Sequence, residues 1–231
     1  MNALALDCAT SIVSVGLSTN EGTWHFEVSA GLRHSERLLD LSQSALAFAG
    51  IAPHDLDLVA CMHGPGSFTG LRIGFSTAKG ISTALGIPLV SIPTLDCMAK
   101  SVSFWPGVVV PVIDAKKACY YTALYEQGKR NTEYLDIGLE YLLPLAPLEK
   151  PMLFTGPDAE SVAGILAAKY PGGSIHCDPR GTRGYAMELL ECAMIRFKES
   201  GLGESDSLGP LYLRKSDAEM VQETRSRADR G

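Results

Sequence analysis

His63-Gly64-Pro65-Gly66-Ser67-Phe68-Thr69-Gly70-Leu71-Arg72-Ile73-Gly74 sets four glycines, a proline and two hydroxyl side chains between the apolar run Leu58 to Met62 and a run of helical periodicity from Leu71 to Leu85. Glycine loses the most backbone freedom on folding, so a cluster of it is kept where the chain takes positive φ or lets another group come close. After a strand and before a helix, the loop has the right context for anion binding by N–H groups at a helix start. Its spacing, G-x-G-x-x-x-G, is neither the Rossmann G-x-G-x-x-G nor the G-x-x-x-x-G-K-[ST] phosphate loop. The other reading is a tight turn that packs the helix closely on a sheet, and spacing alone favours it.

Working outward, Leu71, Phe75, Ala78 and Leu85 fall on one helical face, Gly86 and Pro88 stop the helix, and Pro88 to Ile92 reads as a strand. Upstream, Leu4 and Leu6, then Val13, Val15 and Leu17, then Trp24, Phe26 and Val28 alternate as strands, with turn chemistry at Thr19 to Gly22. Ser35 is placed to cap a helix that ends at Gly50. Three antiparallel strands followed by helix, strand, helix, strand predict a mixed sheet flanked by helices, the ribonuclease-H-like arrangement.

The second half repeats this plan without repeating sequence. Val108 to Ile113 and Tyr120 to Tyr125 flank a turn at Asp114 to Lys117, and a further strand lies near Tyr134 to Ile137. Met152 to Thr155 and Ser174 to Cys177 read as strands, with helices over Pro157 to Tyr170 and Tyr185 to Ser200. The expected architecture is α/β with two lobes, 1–104 carrying the glycine loop and 105–210 a degenerate second lobe. Residues 211–231 are then a C-terminal segment packing back on the first lobe, with a frayed end.

With 231 residues, 46% apolar and 20% charged, the chain has the composition of a soluble globular protein. No basic leader and no run of eighteen apolar residues is present, so a cytoplasmic protein without membrane contact is expected. The six cysteines form no C-x-x-C pair, and the five histidines never fall three or four apart, so no metal site is expected. A net charge of -6 argues against this chain gripping nucleic acid by itself.

Asp7 and Asp114 end the first strands of the two lobes. An acid there is either a turn former or a group facing a phosphate or metal. With the loop they give the candidate phosphate or nucleotide contacts Asp7, Thr10, Gly64, Gly66, Ser67, Thr69, Gly70 and Asp114. His63 and Ser67 lie four apart without a G-x-S-x-G elbow, so no nucleophile and base pair is assigned. The two N-terminal helices are poorly charged: the first carries only Glu36, Arg37 and Asp40, the second only Arg72 and Lys79, with a small-residue stripe at Ser76, Gly80 and Ala84. A helix without a solvated face is buried on more than one side. Either the second lobe covers these helices or a partner protein does, with Leu38, Leu41, Ser42, Ala45, Ser76, Lys79, Gly80 and Thr83 as the expected interface.

The chain resembles the TsaB (YeaZ) family, partner subunits in the synthesis of threonylcarbamoyladenosine beside the anticodon of tRNA. The resemblance rests on Leu4-Ala5-Leu6-Asp7-Cys8-Ala9-Thr10, the segment Gly64 to Gly74, Ile113-Asp114-Ala115-Lys116 and Leu211-Tyr212-Leu213-Arg214. It implies an actin/Hsp70-like fold, paralogy to the catalytic subunit TsaD, and a non-catalytic role in binding and activating TsaD for threonylcarbamoyl transfer. TsaD holds a metal by a helical H-x-x-x-H; the comparable stretch here is Thr94-Leu95-Asp96-Cys97-Met98, without histidine. The implied partners are TsaD in a heterodimer or heterotetramer, TsaE, tRNA indirectly, and a second copy when the chain is alone. No cofactor is required by this chain, although ATP or ADP at a subunit junction fits the family. Cys8 stands where a threonine is usual. The rival readings are a stand-alone ATPase or phosphotransferase of the same superfamily and a glycoprotein hydrolase.

Overall fold

The structure, a computed structural model, describes residues 1–29, 34–145, 149–205 and 207–214. Its first sheet opens with an antiparallel meander, β1 (Ala3–Asp7), β2 (Ile12–Ser18) and β3 (Thr23–Ser29). Helix α1 (His34–Ala49) leads to β4 (Leu58–Gly64), which runs parallel to β1; α2 (Phe68–Leu85) leads to β5 (Leu89–Pro93), parallel to β4. The strand order is β3-β2-β1-β4-β5. Helix α3 (Thr94–Ser101), which the sequence reading does not contain, follows β5 without a loop.

The second sheet repeats this order. Its strands are β6 (Val108–Asp114), β7 (Tyr120–Thr122), a short ribbon of β8 (Tyr125–Glu126) and β9 (Lys129–Arg130), β10 (Leu135–Ile137), β11 (Met152–Thr155) and β12 (Ile175–Cys177). They line up as β10-β7-β6-β11-β12, with the ribbon on β6. Helices α4 (Leu139–Leu142) and α5 (Ala159–Lys169) connect them, and α6 (Ala186–Ser200) is the last regular element among the described residues.

Side-chain size sorts the layers. On β1 and β2 the outward residues Leu4, Leu6, Val13, Val15 and Leu17 pack with Leu38, Ala45, Phe75 and Ala78 under α1 and α2. Each large side chain fully buried contributes about 1.5–3 kcal/mol. The other face carries small groups, with Ala3, Ala5 and Ala60 in the cluster that holds Leu189, Leu190 and Ala193 of α6. Gly16 belongs to the same face: a Cβ there would sit 2.9 Å from the Ala186 carbonyl oxygen. With only small side chains on the β1 and β2 part of this face, α6 settles almost onto the backbone of β2.

The sequence reading puts α6 in the second lobe, whereas it packs on β1, β2, β4 and β5 of the first sheet, while α3 packs on β6 of the second. The two helices form a shared layer between the sheets. The reason is steric: the small-residue face lies on the first sheet, and α6 goes where the backbone admits it. Two smaller differences concern helix starts. Ser35 lies inside α1 rather than capping it, and α2 begins at Phe68, inside the glycine segment.

After α6 the chain becomes a strap. Glu204 N–H donates to the Leu89 carbonyl on β5, and Glu204 Oε1 accepts from Ser91 N–H and Oγ–H. Leu211 N–H donates to His63 O. Arg214 donates two bonds to Asp136, at 2.6 and 2.7 Å, and one to Ala115 O, fastening the strap to the second lobe. The end of the chain expected to fray, Ser216 to Gly231, lies outside the described residues. The close approach of α6 predicts that Gly16→Ala, which meets a carbonyl oxygen that cannot rotate away, costs about 1–3 kcal/mol; a urea unfolding midpoint reads this directly.

Candidate functional site

The glycine segment is folded against the chain's own first turn. Ser67 caps α2, its Oγ accepting from Gly70 N–H at 3.2 Å, and Ser67 N–H donates to Ala9 O at 2.7 Å. Gly70 and Gly74, four apart on α2, face Cys8, and Gly66, just before the helix, faces Ala9. A Cβ on Gly66 would sit 2.4 Å from Ala9 O, and one on Gly70 2.0 Å from Cys8 O. Gly64, at φ 112°, has Leu211 O at 2.6 Å from where its Cβ would lie. Backbone carbonyls of residues 8, 9 and 211 therefore fill the space beside these glycines. Thr69 is exposed on the first turn of α2. Above it, Arg72 stacks on Phe68 at 3.9 Å and donates to Tyr212 Oη at 3.0 Å.

Asp7 is fully buried. Its Oδ1 accepts from Ala9 N–H at 3.0 Å, and its Oδ2 from Ser14 Oγ at 3.2 Å and Tyr185 N–H at 2.9 Å. Burial raises its carboxyl above the ordinary value, with the bonds from Ala9, Tyr185 and Ser14 pulling the other way. A folded-state value above the unfolded one favours the fold below about pH 3.8, and that advantage is lost as pH rises through the folded value. Thr10, also buried, accepts from Ile12 N–H at 3.3 Å.

Asp114 accepts from Lys116 N–H at 2.7 Å and from Lys116 Nζ at 2.6 Å, and the lysine holds its carboxyl below the usual range. Lys116, Lys117 and Ala118 follow at φ 64°, 58° and 58°, a left-handed turn that costs about 1–2 kcal/mol per residue. Asp7 and Asp114 end equivalent strands, yet each spends its oxygens on groups of its own surroundings. The stretch comparable to a metal-binding helix is also engaged: Asp96 on α3 accepts from Tyr125 Oη at 2.5 Å and Tyr134 Oη at 2.9 Å. Among the described residues, no group of three or more His, Cys, Asp and Glu is placed to hold a metal ion.

A second locus lies on the far side of the first sheet. Between α1 and α2 runs a groove of about 290 Å³, lined by Leu39, Gln43, Leu46, Gly80, Ile81 and Ala84 among others. Ser42 reaches it as well, but its hydroxyl donates to Leu38 O at 2.7 Å, which leaves the groove almost wholly apolar. Leu39 is 53% and Phe48 73% exposed on the same helix, and Phe48 leans on Phe26 at 5.5 Å. Apolar surface of this kind is costly to leave wet.

The interface read from sequence is corrected here. Leu38 and Ala45 are fully buried and hold α1 to the sheet, while Leu41 packs on the same cluster and keeps part of its surface exposed. Of the expected residues, Ser42 and Gly80 line the groove, and Ser76 and Thr83 are exposed on α2. Lys79 is half-buried, its ammonium 5.6 Å from the Phe75 ring. The groove side of α1, Leu39, Gln43 and Leu46, is offset from the core stripe by one residue. That offset is visible in the sequence once two apolar stripes, rather than one, are sought on α1.

Two sheets of identical strand order, with a helical layer between them, place this chain in the two-lobed actin/Hsp70-like class of ribonuclease-H-like folds. Residues 28–178, well over half the chain, match the family model described as TsaD: tRNA N6-adenosine threonylcarbamoyltransferase. The tRNA threonylcarbamoyladenosine biosynthesis protein TsaB of Bacillus subtilis is 29% identical over 231 residues, 95% of this chain and 96% of that protein. The protein of the same name from Escherichia coli is 37% identical over 135 residues, 57% of this chain and 58% of that one. YeaZ from Pseudomonas aeruginosa has the same fold, with a TM-score of 0.77 at 24% identity over 92% of this chain and 99% of that one. The chain belongs to this family, in its TsaB (YeaZ) group.

The two loci respond oppositely to the same substitution. Gly70→Ala, with 2.0 Å to a carbonyl oxygen, is expected to lose about 2 kcal/mol or more. Gly80→Ala, where a Cβ meets nothing within 4 Å, gains about 0.5–1 kcal/mol from helix propensity. Denaturant midpoints of the two variants check the pair.

Proposed function

We propose that this protein is a non-catalytic subunit that docks on TsaD through the groove between α1 and α2 and holds it in a shape competent for threonylcarbamoyl transfer to the adenosine adjacent to the tRNA anticodon. The observation that carries this reading is the contrast between the two loci. The polar groups that chemistry would need, Asp7, Ser67 and Asp114, are engaged by neighbours in this same chain, while the exposed apolar surface sits on the opposite helices.

A groove of this kind favours a protein partner with a complementary apolar helix face. In the absence of TsaD, a second copy would cover it, because the same surface can meet itself across a two-fold axis. TsaE is the expected third member, and tRNA is reached through the partners, in keeping with the net charge of -6.

Gly80→Arg is the discriminating variant. Its side chain projects into the groove from a position with open space around it, so the monomer keeps its fold, checked by circular dichroism and melting temperature. Co-purification with TsaD is expected to fall at least tenfold, and tRNA modification by the reconstituted complex to fall with it. An unaffected complex would refute the docking surface.

The second reading, a stand-alone ATPase or phosphotransferase, is favoured by one observation, the two acids at equivalent strand ends. Titration calorimetry of the isolated chain with ATP and magnesium separates the readings. We expect no tight binding and no turnover. Nucleotide that binds only to the assembled complex would place it at a subunit junction and leave the docking role intact.

A further inference from the structure

Where the strap leaves α6 it offers a carboxylate to three donors. Gly201, at φ 65°, ends α6, and the chain then meets β5, the outer strand of the first sheet. Glu204 N–H donates to Leu89 O at 2.7 Å. Glu204 Oε1 accepts from Ser91 N–H at 3.2 Å and Ser91 Oγ–H at 2.9 Å, and lies 3.2 Å from Arg196 Nη2. Only 14% of the Glu204 side chain is exposed. A regular strand laid on β5 would meet the Ser91 N–H with a main-chain carbonyl; here a side-chain carboxylate takes that place. The preceding position is restricted by size. A Cβ on Gly203 would lie 3.1 Å from Pro88 Cβ and 3.2 Å from both the nitrogen and the oxygen of Leu89.

We propose that β5 and α6 form a binding site for an extended peptide in which a small residue is followed by a glutamate. The chain's own Gly203-Glu204 fills it, and an outside segment of the same pattern takes over when the strap lifts. The donors do not depend on Glu204 for their positions. Ser91 is fully buried in the ladder with β4, opposite Cys61, and Arg196 Nη1 donates to Ser91 O at 2.7 Å. With the carboxylate gone, a buried hydroxyl, a main-chain N–H and a guanidinium would converge on one point without an acceptor. Leaving buried donors unpaired is costly, and the guanidinium makes a carboxylate the preferred acceptor.

Two features divide the recognition. The main-chain bond to Leu89 O accepts any extended segment, whereas Ser91, Arg196 and the tight space at Gly203 select the side chains. The strap competes from a tethered position, which gives it a high effective concentration. An outside segment therefore enters when the other fastenings, Leu211 on His63 O and Arg214 on Asp136, are loosened. This site is separate from the groove between α1 and α2, and either can exist without the other.

Full-length Glu204→Ala, which empties the site, is the protein to probe, with a labelled peptide of residues 201–205 read by fluorescence anisotropy. The peptide is expected to bind this variant at least tenfold more tightly than the unaltered chain. Peptides with glutamine for the glutamate, or valine for the glycine before it, are expected to bind at least tenfold more weakly, and adding Arg196→Ala to the variant should weaken binding to the same extent. Sodium acetate, compared with sodium chloride at equal ionic strength, should raise the melting temperature of Glu204→Ala and leave that of the unaltered chain unchanged. Should the alanine variant be unstable, Glu204→Gln keeps the bulk and is expected to bind the glutamate peptide more tightly than the unaltered chain does. Equal binding of the glutamate and glutamine peptides, equal binding to variant and unaltered chain, or no binding together with no effect of acetate would overturn the proposal.

Discussion

One buried carboxylate ties the architecture together. Asp7 ends β1, and its two oxygens take hydrogen bonds from the turn that follows, from β2 and from the residue that precedes α6, 178 positions away in sequence. Removing a charge from water is expensive unless its lone pairs are filled, so Asp7 is tolerable only when all three partners are in place. The first turn can then receive the glycine face of α2, and α6 can lie on the bare side of the first sheet. Gly184 N–H, bonded to Glu27 at 2.8 Å, and Ala186 N–H, bonded to Ser14 at 3.2 Å, extend the same seam.

From that seam the two sides of the first lobe take opposite characters. The inner side is closed: Ala3, Ala5, Gly16 and Ala60 let α6 lie so near the sheet that a Cβ on Gly16 would sit 2.9 Å from the Ala186 carbonyl oxygen. The outer side is underfilled, because α1 and α2 bury one stripe against the sheet and leave a second, between them, without cover. The inner side is also where Asp7 meets Ser14 and the backbone of Tyr185. Here the polar groups of that side are spent on cohesion, and the surface left to interact is the apolar one.

Most of the strand plan was legible because alternation is a local signal. Val13, Val15 and Leu17 against Ser14, Gly16 and Ser18 declare both a buried face and a narrow one, and the repeat of the meander in the second half followed from the same pattern. The glycine spacing was also legible as packing, since Gly70 and Gly74 share one face of α2. Three features were not. Helix α3 is short and polar enough at its ends to resemble a linker. The placement of α6 depends on a bond between residues far apart in sequence. Of the interface residues expected from sequence, Leu38 and Ala45 face the sheet instead, because a helix with two apolar stripes gives the same periodicity whichever one faces the sheet, and only the position of α2 decides.

The strap formed by residues 204–214 has a meaning for how this molecule behaves in a crowd. β5 is the last strand of its sheet, and a bare outer strand is a template on which another polypeptide can add itself. By bonding to Leu89 and Ser91, Glu204 occupies part of that template with the molecule's own tail. The segment that looked like an appendage covers part of that edge, and without Glu204 the Leu89 carbonyl and the Ser91 N–H would lose these partners.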